Sequence, residues 1–125
     1  MFEKIVNEDK KLTTITITWE ADVGELVSVL KNFFDDNNTE HLLLDFRESS
    51  LDSITPEHIG NLCKYATSRA NGEGRVNGKT ALVGSRDLKF GIGRMFETYS
   101  EMEGSAVKVS VFRSMEKALS WLEEG

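Results

Sequence analysis

The chain contains few of the residues that build metal, redox or membrane sites. Among its 125 residues there are one cysteine, one proline and two histidines. A lone cysteine forms no internal disulfide, and two histidines offer no metal-ligand spacing, so neither a disulfide framework nor a metal site is expected. No apolar run approaches the roughly 18 residues of a membrane helix. The N-terminal MFEKIVNEDKK has no apolar signal core, which favours the cytoplasm.

The rest of the composition is that of an ordinary globular protein. Hydrophobic residues make up 39% of the chain and charged residues 29%, as in soluble domains generally. The length suits one hydrophobic core, and neither repeats nor a long linker divide the sequence. We therefore predict a single domain over residues 1–125.

Charge is unevenly distributed along the chain. The formal net charge of −6 argues against general nucleic-acid binding. The segment from Ile59 to Arg94, however, holds seven basic and two acidic residues, a net +5, which leaves −11 for the remainder. Two interpretations remain open: a solvated charge pattern without a partner, or a site for an anion or an acidic partner.

The N-terminal region predicts a β-hairpin followed by a helix. Phe2 to Val6 and Leu12 to Trp19 form two strands around a polar turn. Alternation in the second strand predicts one buried face with Ile15, Ile17 and Trp19, and one wet face with Thr14, Thr16 and Thr18. Asp22 and Glu25 predict a capping box for a helix that ends near Phe34. Its buried stripe comprises Val23, Leu26, Val27, Leu30, Phe33 and Phe34.

The middle of the chain predicts a central strand and a second helix. Leu42 to Phe46 is almost entirely apolar, which is typical of a covered strand. Arg47 to Ser53 is a polar loop anchored by Leu51. Thr55 as N-cap and Pro56 at the first helical position begin a helix that buries Ile59, Leu62, Cys63, Ala66 and Ala70. A loop from Asn71 to Lys79 follows.

Two further strand–helix units complete the chain. Thr80 to Val83 predicts a buried strand, followed through a Gly-Ser turn by a helix whose apolar stripe has the helical period: Leu88, Ile92, Met95, Phe96, Tyr99 and Met102. Ala106 to Phe112 predicts the last strand, again with one wet face. Ser114 caps a final helix that faces inward with Met115, Ala118, Leu119 and Leu122, and Trp121 lies beside that stripe.

The element order β-β-α-β-α-β-α-β-α predicts an α/β fold with a mixed, mostly parallel five-stranded sheet. Strand–helix–strand units imply parallel neighbours, and the hairpin adds an antiparallel edge. Two strands with polar alternate faces fit either edge strands or a sheet that carries its helices mainly on one face. We favour the one-sided sheet.

Four stretches carry a resemblance to a known superfamily. They are LLLDF (Leu42 to Phe46), SITPEHI (Ser53 to Ile59), TALVGSRDLKFGIGRMFE (Thr80 to Glu97) and VFRSMEKALSWL (Val111 to Leu122). With the element order, they resemble the STAS superfamily of anti-sigma-factor-antagonist-like domains, in particular small bacterial STAS-like proteins, and the related CRAL-TRIO group. Both are one-sided βα superhelices.

The STAS likeness implies a phosphorylated serine that follows an Asp at the start of the second helix. The matching residue is Ser53 after Asp52, where a helix N-terminus stabilises negative charge. The chain departs from the family pattern, since Ile54-Thr55-Pro56-Glu57 stands where small residues and glycine are usual. Two interpretations of Ser53 therefore remain open: a phosphorylation site, or an ordinary solvated serine of the loop.

Glycines around the third helix suggest a phosphate cradle, but neither known template fits. Gly84 is followed by Ser-Arg-Asp rather than by a P-loop, and Gly91-Ile92-Gly93 does not follow a strand directly. Either Ser85 caps a helix that contains both later glycines, or the helix begins near Ile92 and these glycines form a nest. The candidate ligand or partner surface comprises Arg47, Asp52, Ser53, Ser85, Arg86, Phe90, Gly91, Gly93 and Arg94.

Catalytic residues are not indicated. No sequence feature links His41 or His58 to a nucleophile, and a capping or surface role is expected for His58. Asp45 ends a central strand, where α/β sites form, yet a hydrogen bond to the following loop is its expected role. We predict no enzyme and no cofactor.

Two function classes follow from the resemblances. The STAS likeness implies a regulatory protein-interaction module that uses the loop from Arg47 to Thr55 and the adjacent helix. The CRAL-TRIO likeness implies, as an alternative, a carrier of a small anionic or lipid-like ligand beside the helix from Leu88 to Met102. We also predict a homodimer through the region from Phe90 to Met95, because Phe90 lies off the apolar stripe and Trp121 is expected to be incompletely covered.

Overall fold

The computed structural model describes residues 2–36, 39–72 and 77–124. Part of the predicted loop between Asn71 and Lys79 therefore lies outside the described residues. The elements within these ranges are β1 (Phe2–Asn7), β2 (Leu12–Ile17), β3 (Trp19–Glu20), α1 (Val23–Asp36), β4 (His41–Asp45), β5 (Ser49–Ser50), α2 (Pro56–Gly72), β6 (Lys79–Val83), α3 (Asp87–Met102), β7 (Lys108–Phe112) and α4 (Met115–Glu123).

The main sheet has five strands in the order β1-β2-β4-β6-β7. β1 pairs with β2 antiparallel, and every later neighbour pairs in parallel. The predicted α/β class with a mixed, mostly parallel five-stranded sheet is confirmed. The short strands β3 and β5 were not predicted, and they pair with each other in parallel beside the sheet.

The helices are divided unequally between the two faces of the sheet. Because the parallel strands follow chain order, right-handed crossovers carry α1, α2 and α3 over the same face. The larger core lies between these helices and inward residues such as Ile15, Leu44 and Leu82. On the other face, Ala118 and Leu122 of α4 pack against Leu43 and Val83. Within the described ranges, three helices cover one face and α4 covers part of the other.

The predicted helix starts are confirmed by hydrogen bonds at three N-caps. Asp22 Oδ1 accepts from the Glu25 amide at 2.8 Å, and Ser114 Oγ accepts from the Lys117 amide at 3.3 Å. At α2, Thr55 Oγ1 accepts from the amide of His58 at 3.1 Å, and His58 Nδ1 accepts from the amide of Thr55 at 3.2 Å. The capping role expected for His58 is thus confirmed. This reciprocal pair satisfies two backbone donors at the start of α2.

Several predicted positions in the first half of the chain are wrong. Trp19 does not share the buried face of Ile15 and Ile17, because β2 ends at Ile17 and the Trp19 side chain is exposed. Val27 of α1 is exposed, and Val29, which was not predicted to be buried, lies in the core instead. The helix end, by contrast, agrees with the prediction, since α1 ends at Asp36, close to Phe34.

α3 turns a different face to the core from the one that its apolar stripe predicts. Ile92 is buried and Phe96 and Tyr99 are half-buried, but the other three members of the predicted stripe are exposed: Leu88, Met95 and Met102. The helix begins at Asp87 after an N-cap at Arg86 that makes no side-chain cap bond. Neither the Ser85 cap nor a helix beginning near Ile92 is therefore correct.

Close packing of α3 against β7 accounts for this rotation and for Gly93. A Cβ atom at Gly93 would lie 2.3 Å from Val111 Cγ2 and 2.8 Å from Val111 Cβ. Glu97, one turn later, accepts a hydrogen bond from the Val111 amide at 2.8 Å. The backbone of α3 thus contacts the edge strand directly, and a side chain at position 93 would separate them.

Cys63 is a core residue, as its place on the apolar stripe of α2 predicts. Its thiol is buried, donates to the carbonyl of Phe96 at 3.7 Å and accepts from Ser100 Oγ at 3.7 Å. Burial raises the pKa of the Cys63 thiol to about 11, because the thiolate would lose its hydration. This thiol is therefore neutral and unreactive near neutral pH.

The raised pKa of Cys63 makes stability depend on alkaline pH. In the unfolded chain the thiol ionises near its ordinary pKa of 9.0, whereas in the folded protein it holds its proton to about 11. The unfolded state therefore binds fewer protons between these values, and the free energy of unfolding falls by about 2 to 3 kcal/mol as pH rises through them. We expect Cys63→Ala to lack this component in urea titrations at several pH values. Parallel pH profiles for the two proteins would contradict the assignment.

Candidate functional site

The carboxyl ends of the parallel strands, where α/β proteins form their sites, border an open cleft of about 370 Å³. One wall is the β5 loop and the other is the first turn of α3. The lining residues are Ser49, Ser50, Leu51, Asp52, Arg86, Leu88 and Lys89. The loop after β4 thus faces the first turn of α3 across the cleft.

Asp45 fixes the loop beside this cleft through hydrogen bonds. Its carboxylate is buried and accepts from the Arg47 amide at 3.0 Å, from Arg47 Nε at 3.0 Å and from Arg47 Nη2 at 2.9 Å. The loop bond expected for Asp45 is thus confirmed. Lys89 Nζ then donates to the Arg47 carbonyl at 2.8 Å, which joins the first turn of α3 to the loop after β4. A bidentate Arg–carboxylate pair fixes geometry, so this wall of the cleft is held in place.

The cations on the α3 wall are incompletely neutralised. Within the described residues Arg86 makes no ion pair, and the bond of Lys89 is to a neutral carbonyl. Burial, and then the neighbouring charge of Arg86, lower the pKa of Lys89, against the opposing influence of Asp45 and Asp52. With Asp52 as the acid of the lining, the cleft carries a small positive excess.

Trp19 is an exposed aromatic side chain beside the cleft. It pairs with Ser49 through the β3–β5 bridge, and Ser49 and Ser50 line the cleft. Trp19 is 75% exposed and has a φ of 66°. Bulky residues rarely adopt this left-handed conformation, and strained positions of this kind concentrate at functional sites. Sequence reasoning missed Trp19 because β alternation assigned it to the core, and nothing local in the sequence announces a positive φ.

The predicted site residues are only partly brought together. Asp52 and Arg86 line the cleft. The Arg47 carbonyl accepts the Lys89 hydrogen bond beside it, and Ser53 is exposed in the same loop. Sequence reasoning omitted Leu88 and Lys89, which also line it. Ser85 is exposed just before α3, and its carbonyl accepts from Arg113 Nη1 at 3.4 Å.

The remaining candidates lie farther along α3. Gly93 is buried against β7 and offers no ligand surface. Phe90 is not an exposed patch, because its ring packs against the larger core and Arg113 lies 4.2 Å above it. Arg94 is exposed and lies 3.8 Å from Glu97. The space around Gly91 is open, with no atom within 4 Å of a Cβ built there.

The glycines do not form a phosphate cradle. A Cβ at Gly84 would lie 2.8 Å from Lys89 Cβ and 3.0 Å from the Lys89 carbonyl carbon, so this glycine lets β6 turn tightly into α3. Gly93 is explained by Val111. Packing within the chain therefore accounts for both glycines.

Both histidines accept backbone hydrogen bonds, and the apolar interior is nearly filled. His41 Nδ1 accepts a hydrogen bond from the Lys79 amide at 3.1 Å. His58 Nδ1 accepts one from the Thr55 amide at the start of α2. In the described part of the chain no group of three metal-binding side chains converges. The apolar cavity between the sheet and its three covering helices has about 60 Å³, whereas ligand pockets typically have about 300 Å³ or more. This interior gives no support to the carrier alternative.

No known protein family matches the chain, and no characterised protein shows significant sequence similarity to it. No described helix has both the length and the apolar character needed to cross a bilayer.

Proposed function

We propose that the protein is a non-catalytic regulatory module that binds another protein through the cleft and Trp19. The observation that carries this proposal is the exposed Trp19 side chain, held in a left-handed backbone conformation on a strand that pairs with the cleft-lining Ser49. Tryptophan is enriched among the residues that dominate binding energy at protein interfaces. The proposal includes the cytoplasmic location and the STAS-type regulatory role that the sequence predicts.

Two residues of the α3 wall add features of a protein interface to Trp19. Leu88, 58% exposed on the opposite wall, adds apolar surface, and Arg86 supplies an exposed guanidinium. An apolar centre with arginine is typical of protein-binding patches. The Asp45–Arg47–Lys89 network holds the cleft in one shape, which lowers the ordering cost of association.

Substitution of Trp19 by glycine separates binding from folding. Glycine adopts a φ of 66° without steric cost, and the mostly exposed indole contributes little to the core. We therefore expect the free energy of unfolding to be unchanged or raised by up to about 1 kcal/mol. Affinity for the partner should fall by about 30-fold or more, as for an interface residue that contributes at least 2 kcal/mol.

The measurement begins with affinity capture from the source cells and mass-spectrometric identification of the partner. Calorimetric titration of the purified partner then compares the wild type with Trp19→Gly and Arg86→Glu. Met102→Ala is the matched control, because Met102 is also 75% exposed but lies at the far end of α3. Equal affinity of wild type and Trp19→Gly for every captured protein would contradict the proposal.

A further inference from the structure

Gly91 is a mid-helix glycine that packing within the chain does not explain. Glycine in a helix interior is destabilising relative to alanine. Close contact with Val111 accounts for Gly93, but a Cβ at Gly91 would meet no atom within 4 Å beyond its chain neighbours and the backbone of its own helix. Gly60 in α2 is equally open, so open space alone does not mark a site. The side chains around each glycine distinguish the two positions.

Residues one turn before and one turn after Gly91 form an exposed face. Side chains three and four positions away lie next to a helical residue on its own face. For Gly91 these are Asp87, Leu88, Arg94 and Met95, and all four are exposed. The apolar pair continues into exposed Met102 at the same seven-residue spacing. We call Asp87, Leu88, Gly91, Arg94 and Met95 the Gly91 face.

The charges on the Gly91 face are complementary to those of a second, antiparallel copy. If two α3 helices cross antiparallel at Gly91, the turn before the glycine in one copy lies beside the turn after it in the other. Asp87 then faces Arg94 of the second copy, and Leu88 faces Met95. In a parallel crossing the two Asp87 side chains would lie at one level and the two Arg94 side chains at another, so neither charge would face its opposite. Charge complementarity thus selects one orientation, and the missing Cβ lets the backbones approach closely.

The present partners of the two charges do not prevent this arrangement. Asp87 pairs with Arg113 at 3.0 Å and Arg94 with Glu97 at 3.8 Å, and Asp87, Arg113 and Arg94 are largely exposed. Exposed pairs of this kind are weak, and a carboxylate accepts from two cations at once. Phe90 lies under Arg113 and takes no part.

We propose that two copies of this chain associate through their Gly91 faces, with the α3 helices antiparallel about a twofold axis. The surface is isologous, as most homodimer interfaces are. It agrees with the region of self-association expected from sequence but is formed by different side chains, since Phe90 is covered. The dimer does not require the proposed partner, although Leu88 belongs both to the Gly91 face and to the lining of the cleft.

The test measures molar mass by sedimentation equilibrium from micromolar to millimolar protein. The wild type should show a reversible monomer–dimer equilibrium. Gly91→Gln fills the crossing point and should raise the dissociation constant about tenfold or more. Gly60→Gln, at the other open helical glycine, should leave it unchanged. Glutamine is the better helix former, so thermal unfolding should show that both variants remain folded.

A charge exchange tests the orientation. Asp87→Arg alone and Arg94→Asp alone should each weaken the dimer about tenfold, because each places like charges opposite one another. The double variant should recover an affinity within about threefold of the wild type. A wild type that stays monomeric throughout, or a dimer that Gly91→Gln does not weaken, would overturn the proposal. Failure of the double variant to recover would overturn the antiparallel arrangement.

Discussion

Replacement of Gly93 by alanine should lower the free energy of unfolding by about 1 to 3 kcal/mol, whereas the same change at Gly91 should raise it by about 0.5 to 1 kcal/mol. The two glycines lie two residues apart in α3, so alanine improves helix propensity equally at both. They differ in surroundings: a Cβ at position 93 would overlap Val111 Cγ2, and one at position 91 would meet open space. The difference between the variants therefore measures the contact between α3 and β7.

Urea denaturation of dilute protein, where self-association is negligible, gives both values. Val111→Ala in the Gly93→Ala background removes the closest overlap, that with Val111 Cγ2, but keeps Val111 Cβ at 2.8 Å. It should restore about 1 kcal/mol relative to additivity, as coupled neighbours do. Equal stabilisation by alanine at both positions would show that α3 does not pack on β7 through Gly93. The position of Glu97 against the Val111 amide would then be wrong as well.

Replacement of Leu122 by alanine should cost about 2 to 4 kcal/mol, whereas Leu119→Ala should cost less than about 1 kcal/mol. Both leucines belong to α4, but Leu122 is 6% exposed and Leu119 is 37% exposed. A helix of this length is not stable alone in water. The docking of α4 therefore depends on Leu122 and Ala118 against the second face of the sheet.

Hydrogen exchange adds a local readout for α4. In Leu122→Ala the amides of Met115–Glu123 should exchange much faster than those of the central strand β4, because losing this contact frees the helix before the sheet unfolds. In Leu119→Ala the exchange of these amides should match that of the wild type. Similar costs for the two leucines would mean that α4 does not present Leu122 to the sheet.

Much of the fold follows from local patterns. The polar turn between two strands, the caps at Asp22, Thr55 and Ser114, and the apolar strand LLLDF each have a local physical cause, and the structure confirms them. Strands that follow chain order then place the crossover helices on one face. The site was predicted less completely, since Arg47, Asp52 and Arg86 were identified and Trp19 and Lys89 were not. The first has a rare backbone conformation and the second a hydrogen bond to a distant carbonyl, and neither feature is visible in the local sequence.

The sequence by itself determined most of the segments that become strands and helices and where most helices begin, because capping and periodicity act locally. The tertiary structure alone decided how α3 is rotated. Its stripe from Leu88 to Met102 predicts one buried face, but contact of Gly93 with Val111 and of Glu97 with the Val111 amide turns another face to the sheet. Close backbone packing outweighs the burial of three flexible apolar side chains. That rotation exposes the face around Gly91 through which we propose that the chain meets its second copy.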